Sequence, residues 1–172
     1  RIGSLPICKM NPIKSLGGTG GDQKALRGNA TKVTCHVAPR LGKVNIDRMA
    51  HIPPGGSWRD IPFDLLPAGM KRAKRSDHTK RYGRMTWDKQ ACTILTKCDI
   101  HWGAYLHPEQ DRAISVREAA RLQSFPDSFE FEGSKTEQYI QVGNAVPPFL
   151  GRAIGKTLVE LMDEHSISEK IA

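Results

Sequence analysis

The strongest periodic signal lies near the end of the chain, where Leu150, Ile154, Leu158, Leu161 and Met162 recur at helical spacing. That stripe predicts an amphipathic helix from about Phe149 to Asp163, which must bury one face against something. Pro147 and Pro148 precede it, as suits a first turn whose N–H groups have no helical partner. Two further helix starts stand upstream. Ser115-Val-Arg-Glu118 and Ser134-Lys-Thr-Glu137 are capping boxes, in which the Ser side chain accepts from the backbone N–H three residues on and the Glu reaches back. Phe125-Pro126-Asp127 stops the first of these helices, because a residue before Pro avoids the α region. Between the second and the final helix, Gln141-Val-Gly-Asn-Ala-Val-Pro-Pro148 reads as a tight turn.

The earlier part of the chain is less regular. Thr31 to Val37 alternates polar and apolar residues, which predicts a half-buried strand. Ala91-Cys-Thr-Ile-Leu-Thr96 is rich in β-branched residues and predicts a second strand. Tyr82-Gly83-Arg84 opens a further strand-like segment. Asn45 is placed to cap a short helix from Ile46 to His51, closed by Pro53-Pro-Gly-Gly56. Ser57 is placed to cap another from Trp58 to Leu66, with Pro67 as its stop and Trp58, Ile61, Leu65 and Leu66 on a core-facing side. Residues 1–23 read as a connector broken by Pro6, Pro12 and the Gly17–Gly21 cluster. No strand signal precedes those glycines, and neither Gly-Lys-Ser/Thr nor GxGxxG follows, so a flexible loop is expected rather than a phosphate cradle.

Charge changes this picture. The chain of 172 residues carries a net charge of +8. Residues 24–97 hold 16 Lys/Arg against 5 Asp/Glu, whereas residues 98–172 hold 7 against 12. A basic surface confined to one region is the footprint of a polyanion binder, although a run of charge also serves simply as a solvated face. The run is densest over residues 70–84, where Lys71, Arg72, Lys74, Arg75, Lys80, Arg81 and Arg84 face a single acid, Asp77. It has no apolar periodicity and reads as a surface loop able to neutralise backbone phosphates. Thr93, Thr96 and Lys97 are further candidate phosphate contacts, the threonines equally readable as ordinary strand residues. The loop from Lys97 to Tyr105 holds His101 and Trp102, placed either to approach a base or groove wall or to pack under the basic loop. No apolar run is long enough to span a bilayer, and Arg1-Ile-Gly-Ser-Leu-Pro6 lacks a signal-peptide core. Cys8, Cys35, Cys92 and Cys98 form no CxxC pair, so neither a disulfide framework nor a metal site is expected. A reduced, intracellular protein follows, cytoplasmic or nucleoid-associated if prokaryotic. The first residue is Arg1 rather than Met, which leads us to expect a piece of a longer chain.

Two blocks then carry a resemblance. Arg117-Glu-x-Ala-Arg-x-Gln-x-Phe-Pro-Asp127, followed by Gln141-Val-Gly-Asn-Ala-Val-Pro-Pro148, resembles the last two conserved blocks of the cytosine C5 DNA methyltransferase family. His51-Ile-Pro-Pro-Gly-Gly-Ser-Trp-Arg-Asp60, Tyr82-Gly83-Arg84 and His107-Pro108 match more loosely. The resemblance implies an α/β fold: the C-terminal part of a Rossmann-like methyltransferase. In it a small, irregular, β-containing target-recognition region, residues 1–112, precedes a helical segment, residues 113–172, that docks on a catalytic domain outside this chain. It also implies double-stranded DNA as partner, with the DNA contacts made by the basic residues and threonines named above. S-adenosylmethionine is the implied cofactor, with Asn144, Ala145 and Val146 matching the loop that closes over it, although an Asn at that place also serves as a turn cap. Gly143 would permit a close approach there. Arg117, Glu118 and Arg121 match a structural brace, with Arg117 held by a buried carboxylate or carbonyls because an Arg in a first helical turn opposes the dipole.

In that family a Cys thiolate adds to C6 of a flipped cytosine, which makes C5 able to attack the methyl group, while a carboxylate supports N3. The thiol sits in Pro-Cys-Gln and the carboxylate in Glu-Asn-Val. Neither motif occurs in this sequence, nor does a Gly-rich cofactor loop after a strand. No catalytic residue is therefore assigned to this chain. It is expected to work with the N-terminal catalytic half, carried on the same polypeptide or on a partner subunit. The rival readings are a non-catalytic DNA-binding module that kept this tail and, more remotely, a basic RNA-binding protein.

Overall fold

A computed structural model describes residues 20–171 except Arg75, with side chains described over 24–164. Among the described residues six α-helices run in order: α1 (Gly20–Arg27), α2 (Lys43–Met49), α3 (Ala68–Lys71), α4 (Val116–Leu122), α5 (Lys135–Asn144) and α6 (Pro148–Ile171). Two single 3-10 turns, Trp58–Asp60 and Phe63–Leu65, lie between α2 and α3. Among the described residues β pairing is limited to isolated bridges, Arg84 with Leu106 in parallel and Leu106 with Ala113 antiparallel.

The two capping boxes begin helices as expected. The Ser115 hydroxyl accepts from the Glu118 N–H while Glu118 accepts from the Ser115 N–H, and Ser134 with Glu137 repeats the arrangement. Elsewhere tertiary demands override local preference. The strand expected over Thr31–Val37 is irregular, because its backbone serves α4. Cys35 takes φ +58°, and the carbonyls of Thr34 and Cys35 accept from the Arg117 guanidinium and backbone N–H. Ala91–Thr96 forms no strand and pairs with no other segment among the described residues. Its polar backbone is met by the buried Tyr105 hydroxyl, which donates to the Thr93 carbonyl at 2.8 Å and accepts from the Leu95 N–H at 3.3 Å. β propensity reports fitness for a pleated surface, and no such surface is offered here.

The helix expected from Trp58 to Leu66 is split, since Pro62 brings no N–H and holds Ile61 extended. Asn45 does not cap. Helix α2 begins at Lys43 after Gly42, and the Asn45 side chain instead accepts from Arg48 and from the Tyr82 hydroxyl. Gly20 and Gly21, expected in a loop, open α1, while the rest of the Gly17–Gly21 cluster lies outside the described residues.

Two apolar cores result among the described residues. One gathers Met49, Ile52, Trp58, Ile61, Tyr82 and Leu106, with Ile100 and Ala113. The other surrounds α4 and α5 with Ile114, Val116, Ala119, Phe125, Phe131 and Tyr139, and reaches back to Met85, Ile94 and Tyr105. The cores thus interleave across residue 112, the division expected from the sequence. Helix α6 belongs to neither. Ser124 accepts from the Phe149 N–H at its start, and from there Leu150, Ile154, Leu158, Leu161 and Met162 are all exposed, Met162 at 68%.

His107 is buried at the seam between the cores, and its Nδ1 accepts from the N–H groups of both Glu109 and Gln110 at 3.1 Å. Burial, aided by the charge of Arg112, lowers its pKa from 6.5 to about 4. Below pH 6.5 the unfolded chain therefore takes up a proton that the folded one refuses. Stability supplied by the neutral imidazole is complete above pH 6.5 and lost as pH falls toward about 4. Urea midpoints measured across that range should fall with acidity, and His107→Asn, which accepts without titrating, should flatten the slope.

Candidate functional site

The two family-like blocks build a brace. Arg117 is fully buried, and its guanidinium donates to the carbonyls of Thr34, Pro126 and Phe129 and to the Thr34 hydroxyl, with the Phe131 ring beneath it at 5.5 Å. The fully buried Glu118 accepts from two Arg112 nitrogens at 2.7 Å. Arg121 donates to both oxygens of the buried Asp127, which also accepts from Arg27. Although burial alone would raise the Asp127 pKa, hydrogen bonds from Arg121 and Arg27 outweigh it and hold the carboxyl below the usual range. Each buried charge in this group is hydrogen-bonded, Glu118 and Asp127 in ion pairs and Arg117 by neutral carbonyls and a hydroxyl, as buried charge requires.

Gly143 lies in the last turn of α5, so the turn begins only at Ala145. A Cβ on Gly143 would stand 2.5 Å from Leu95 C and Thr96 N. The close approach that only Gly allows is therefore to the backbone of the 93–97 segment. Gln123 secures this end of α5 by donating from Nε2 to the Val142 carbonyl at 3.1 Å. Ala145 is half-buried and lines a cleft of about 490 Å³ with Thr93, Gly143 and Pro147, whereas Asn144 and Val146 are exposed and not part of that lining. One candidate phosphate contact and the candidate cofactor turn thus share a cleft. Thr96 and Lys97 are exposed and line a second, more apolar hollow of about 330 Å³ with Tyr139 and His101.

Most of the basic loop is on the surface: Lys71, Arg72, Lys74 and Lys80 are exposed and Arg81 is half-buried, while Arg75 lies outside the described residues. The loop is fastened from below by the buried Trp58, whose Nε1 donates to the His78 carbonyl. Arg84 corrects the expectation. Although placed with the phosphate contacts by its sequence context, it is buried, and its guanidinium donates to the carbonyls of Met49, Ile52, His107 and Gln110 and to Asp111. A guanidinium so occupied holds the fold together and has no face left for a phosphate.

The sequence pattern missed Tyr105 and Ser124, whose hydroxyls hold the 93–95 backbone and the start of α6. Nothing in their immediate neighbours signals those distant partners. Gln123 stands in the Arg-x-Gln-x-Phe-Pro block and was visible there, without its role.

A family profile described as C-5 cytosine-specific DNA methylase matches residues 27–160. The chain belongs to the C-5 cytosine-specific DNA methylase family. It is 45% identical over 133 residues to the type II methylase M.HgiDII of Herpetosiphon aurantiacus, covering 74% of this chain and 38% of that protein. It is 37% identical over 182 residues to DNA (cytosine-5)-methyltransferase 3 of Arabidopsis thaliana, covering 96% of this chain and 12% of that protein. With the type II methyltransferase M.AgeI of Thalassovita gelatinovora it shares 31% identity over 182 residues, covering 79% of this chain and 42% of that protein. The chain thus spans well under half the length of these relatives. The family implies a Rossmann-like fold, of which the described residues supply helices and irregular extended segments rather than a paired sheet. Among them no helix is long and apolar enough to cross a membrane.

Proposed function

We propose that this chain is the C-terminal portion, or a subunit, of a DNA (cytosine-5-)-methyltransferase. In this reading residues 1–112 grip double-stranded DNA, residues 113–172 return to the catalytic domain, and the reactive Cys and its carboxylate belong to residues outside this sequence. The observation that carries the reading is α6. Its apolar stripe is exposed along its described length on a chain that carries the two family-like blocks and no Pro-Cys-Gln. An apolar face of that length in water calls for a partner.

The DNA-facing set is Lys71, Arg72, Lys74, Lys80, Arg81, Thr93, Thr96 and Lys97, which would hold phosphates and fix register without reading bases. Asn144, Ala145 and Val146 fit one wall of a cofactor site. What supports this is that Ala145 lines the cleft with Gly143 and Pro147, while its chain neighbours Asn144 and Val146 are exposed to solvent. When bound, S-adenosylmethionine supplies the methyl group. The chain's own part is to complete that wall, hold its turn through Gln123 and Gly143, and keep the DNA positioned.

The test mixes this chain with a polypeptide bearing the Pro-Cys-Gln half and follows labelled methyl transfer to DNA. Transfer is expected from the mixture and not from this chain alone. Ile154→Asp with Leu158→Asp should abolish it while leaving DNA retention intact. Retention of DNA with no transfer under any pairing would favour the non-catalytic binding module instead. Transfer by this chain alone would refute the division of labour.

A further inference from the structure

We infer that Trp102 is a base-stacking contact that takes the face of an unstacked nucleobase while the neighbouring basic loop holds the phosphates. This rests on the DNA-binding reading above and extends it to a residue that reading does not use. Of the three tryptophans, Trp58 is buried and Trp87 is half-buried with Nε1 donating to Glu109, whereas Trp102 is 62% exposed. Exposed though it is, Trp102 is firmly placed. Its backbone N–H donates to the Asp99 carbonyl at 3.0 Å, and the same turn is tied to the basic loop by the Tyr82 backbone N–H donating to the Ile100 carbonyl at 2.7 Å. His101, next in the turn, meets the Tyr82 ring edge-on at 5.0 Å.

The Arg81 guanidinium lies over the indole, 4.9 Å from its centroid. A cation on the indole leaves a large flat surface open at the margin of a strongly basic loop. A protein partner seeking that apolar ring would have to sit among exposed Lys80 and its neighbours. A nucleic acid answers both features, since its phosphates suit the cations and its bases have π faces, and stacking of this kind tolerates any sequence. In an intact duplex those faces are covered. They open only where a base leaves the stack, and chemistry on a base requires that step. A pre-placed indole at the DNA surface lowers the cost of the unstacked state without touching its edges.

Three probes separate stacking from charge: a duplex with one unpaired base, the same duplex fully paired, and heparin, a polyanion without bases. The wild-type chain should bind the first several-fold more tightly than the second. Trp102→Ala should lose about tenfold on the unpaired-base duplex, with heparin affinity and the salt slope unchanged. Lys80→Ala should lower the slope by about 1 and weaken all three probes together. Trp102→Phe should keep most of the preference. Because the side chain is exposed, the melting curve of Trp102→Ala should overlay the wild type, and a lowered melting point would mark the residue as structural and overturn the inference. So would a variant that keeps the preference, or one that loses heparin in proportion. If the wild type binds neither duplex nor heparin, the DNA-binding reading itself fails. If it binds duplex without dependence on Trp102, only the stacking role falls.

Discussion

Arg84→Met is expected to destabilise the chain by about 3–5 kcal/mol, the usual cost of removing one partner from a buried ionic network. The guanidinium is held by four backbone carbonyls at 2.7–2.9 Å, those of Met49, Ile52, His107 and Gln110, and by the Asp111 carboxylate. Met fills similar volume but donates nothing, so several acceptors are left dry. Those carbonyls belong to the end of α2, the turn after it and the 107–111 loop, three pieces that no sheet joins among the described residues. Arg84 does the joining that a β ladder would otherwise do. Urea denaturation of the variant checks the size of the loss. Duplex binding at a temperature where it remains folded should show the wild-type salt slope. A variant of normal stability whose slope falls by about 1 would return Arg84 to the phosphate contacts.

Gly143→Ala should lower stability by about 1–3 kcal/mol, as overpacking does. Helix propensity alone argues the other way, since Ala in a helix interior is favoured over Gly by about 1 kcal/mol. The sign of the measured change therefore decides between local preference and tertiary contact. The added methyl would lie 2.5 Å from Leu95 C and Thr96 N and 2.6 Å from Leu95 O, all backbone atoms that no rotamer change can move. Either α5 shifts or the 93–96 segment leaves the Tyr105 hydroxyl. Both movements deform the cleft shared by Thr93 and Ala145. Under the proposed function, a mixture with the Pro-Cys-Gln half is expected to bind DNA and cofactor more weakly together. A melting temperature above the wild type would show that the backbone approach carries no strain.

How much was legible in the sequence follows from where each residue's partners lie. The capping boxes at Ser115 and Ser134 were legible because donor and acceptor stand three residues apart. The stripe of α6 was legible for the same reason, its spacing being a property of one helix. The family blocks were legible as a pattern, and the matching profile over residues 27–160 agrees with them. The expected strands failed because a strand is completed by another segment. Thr31–Val37 gave its carbonyls to Arg117, and Ala91–Thr96 found a tyrosine hydroxyl and a glycine instead of a neighbour. Within the candidate site, the exposure of Lys71, Arg72, Lys74 and Lys80 agreed with composition, while Arg84, in the same run of charge, turned inward.

By itself, then, the sequence determined what short-range chemistry can encode: the start of each capped helix, the amphipathic last helix, the regional charge, and the family. Tertiary structure alone decided which arginines face water and which bind carbonyls, and why position 143 must be Gly. It also decided that the final apolar stripe stays uncovered. The physical reason is range. A cap or a stripe is satisfied within a few residues, whereas a buried guanidinium or a backbone-to-backbone contact is satisfied only by segments that folding brings from far along the chain.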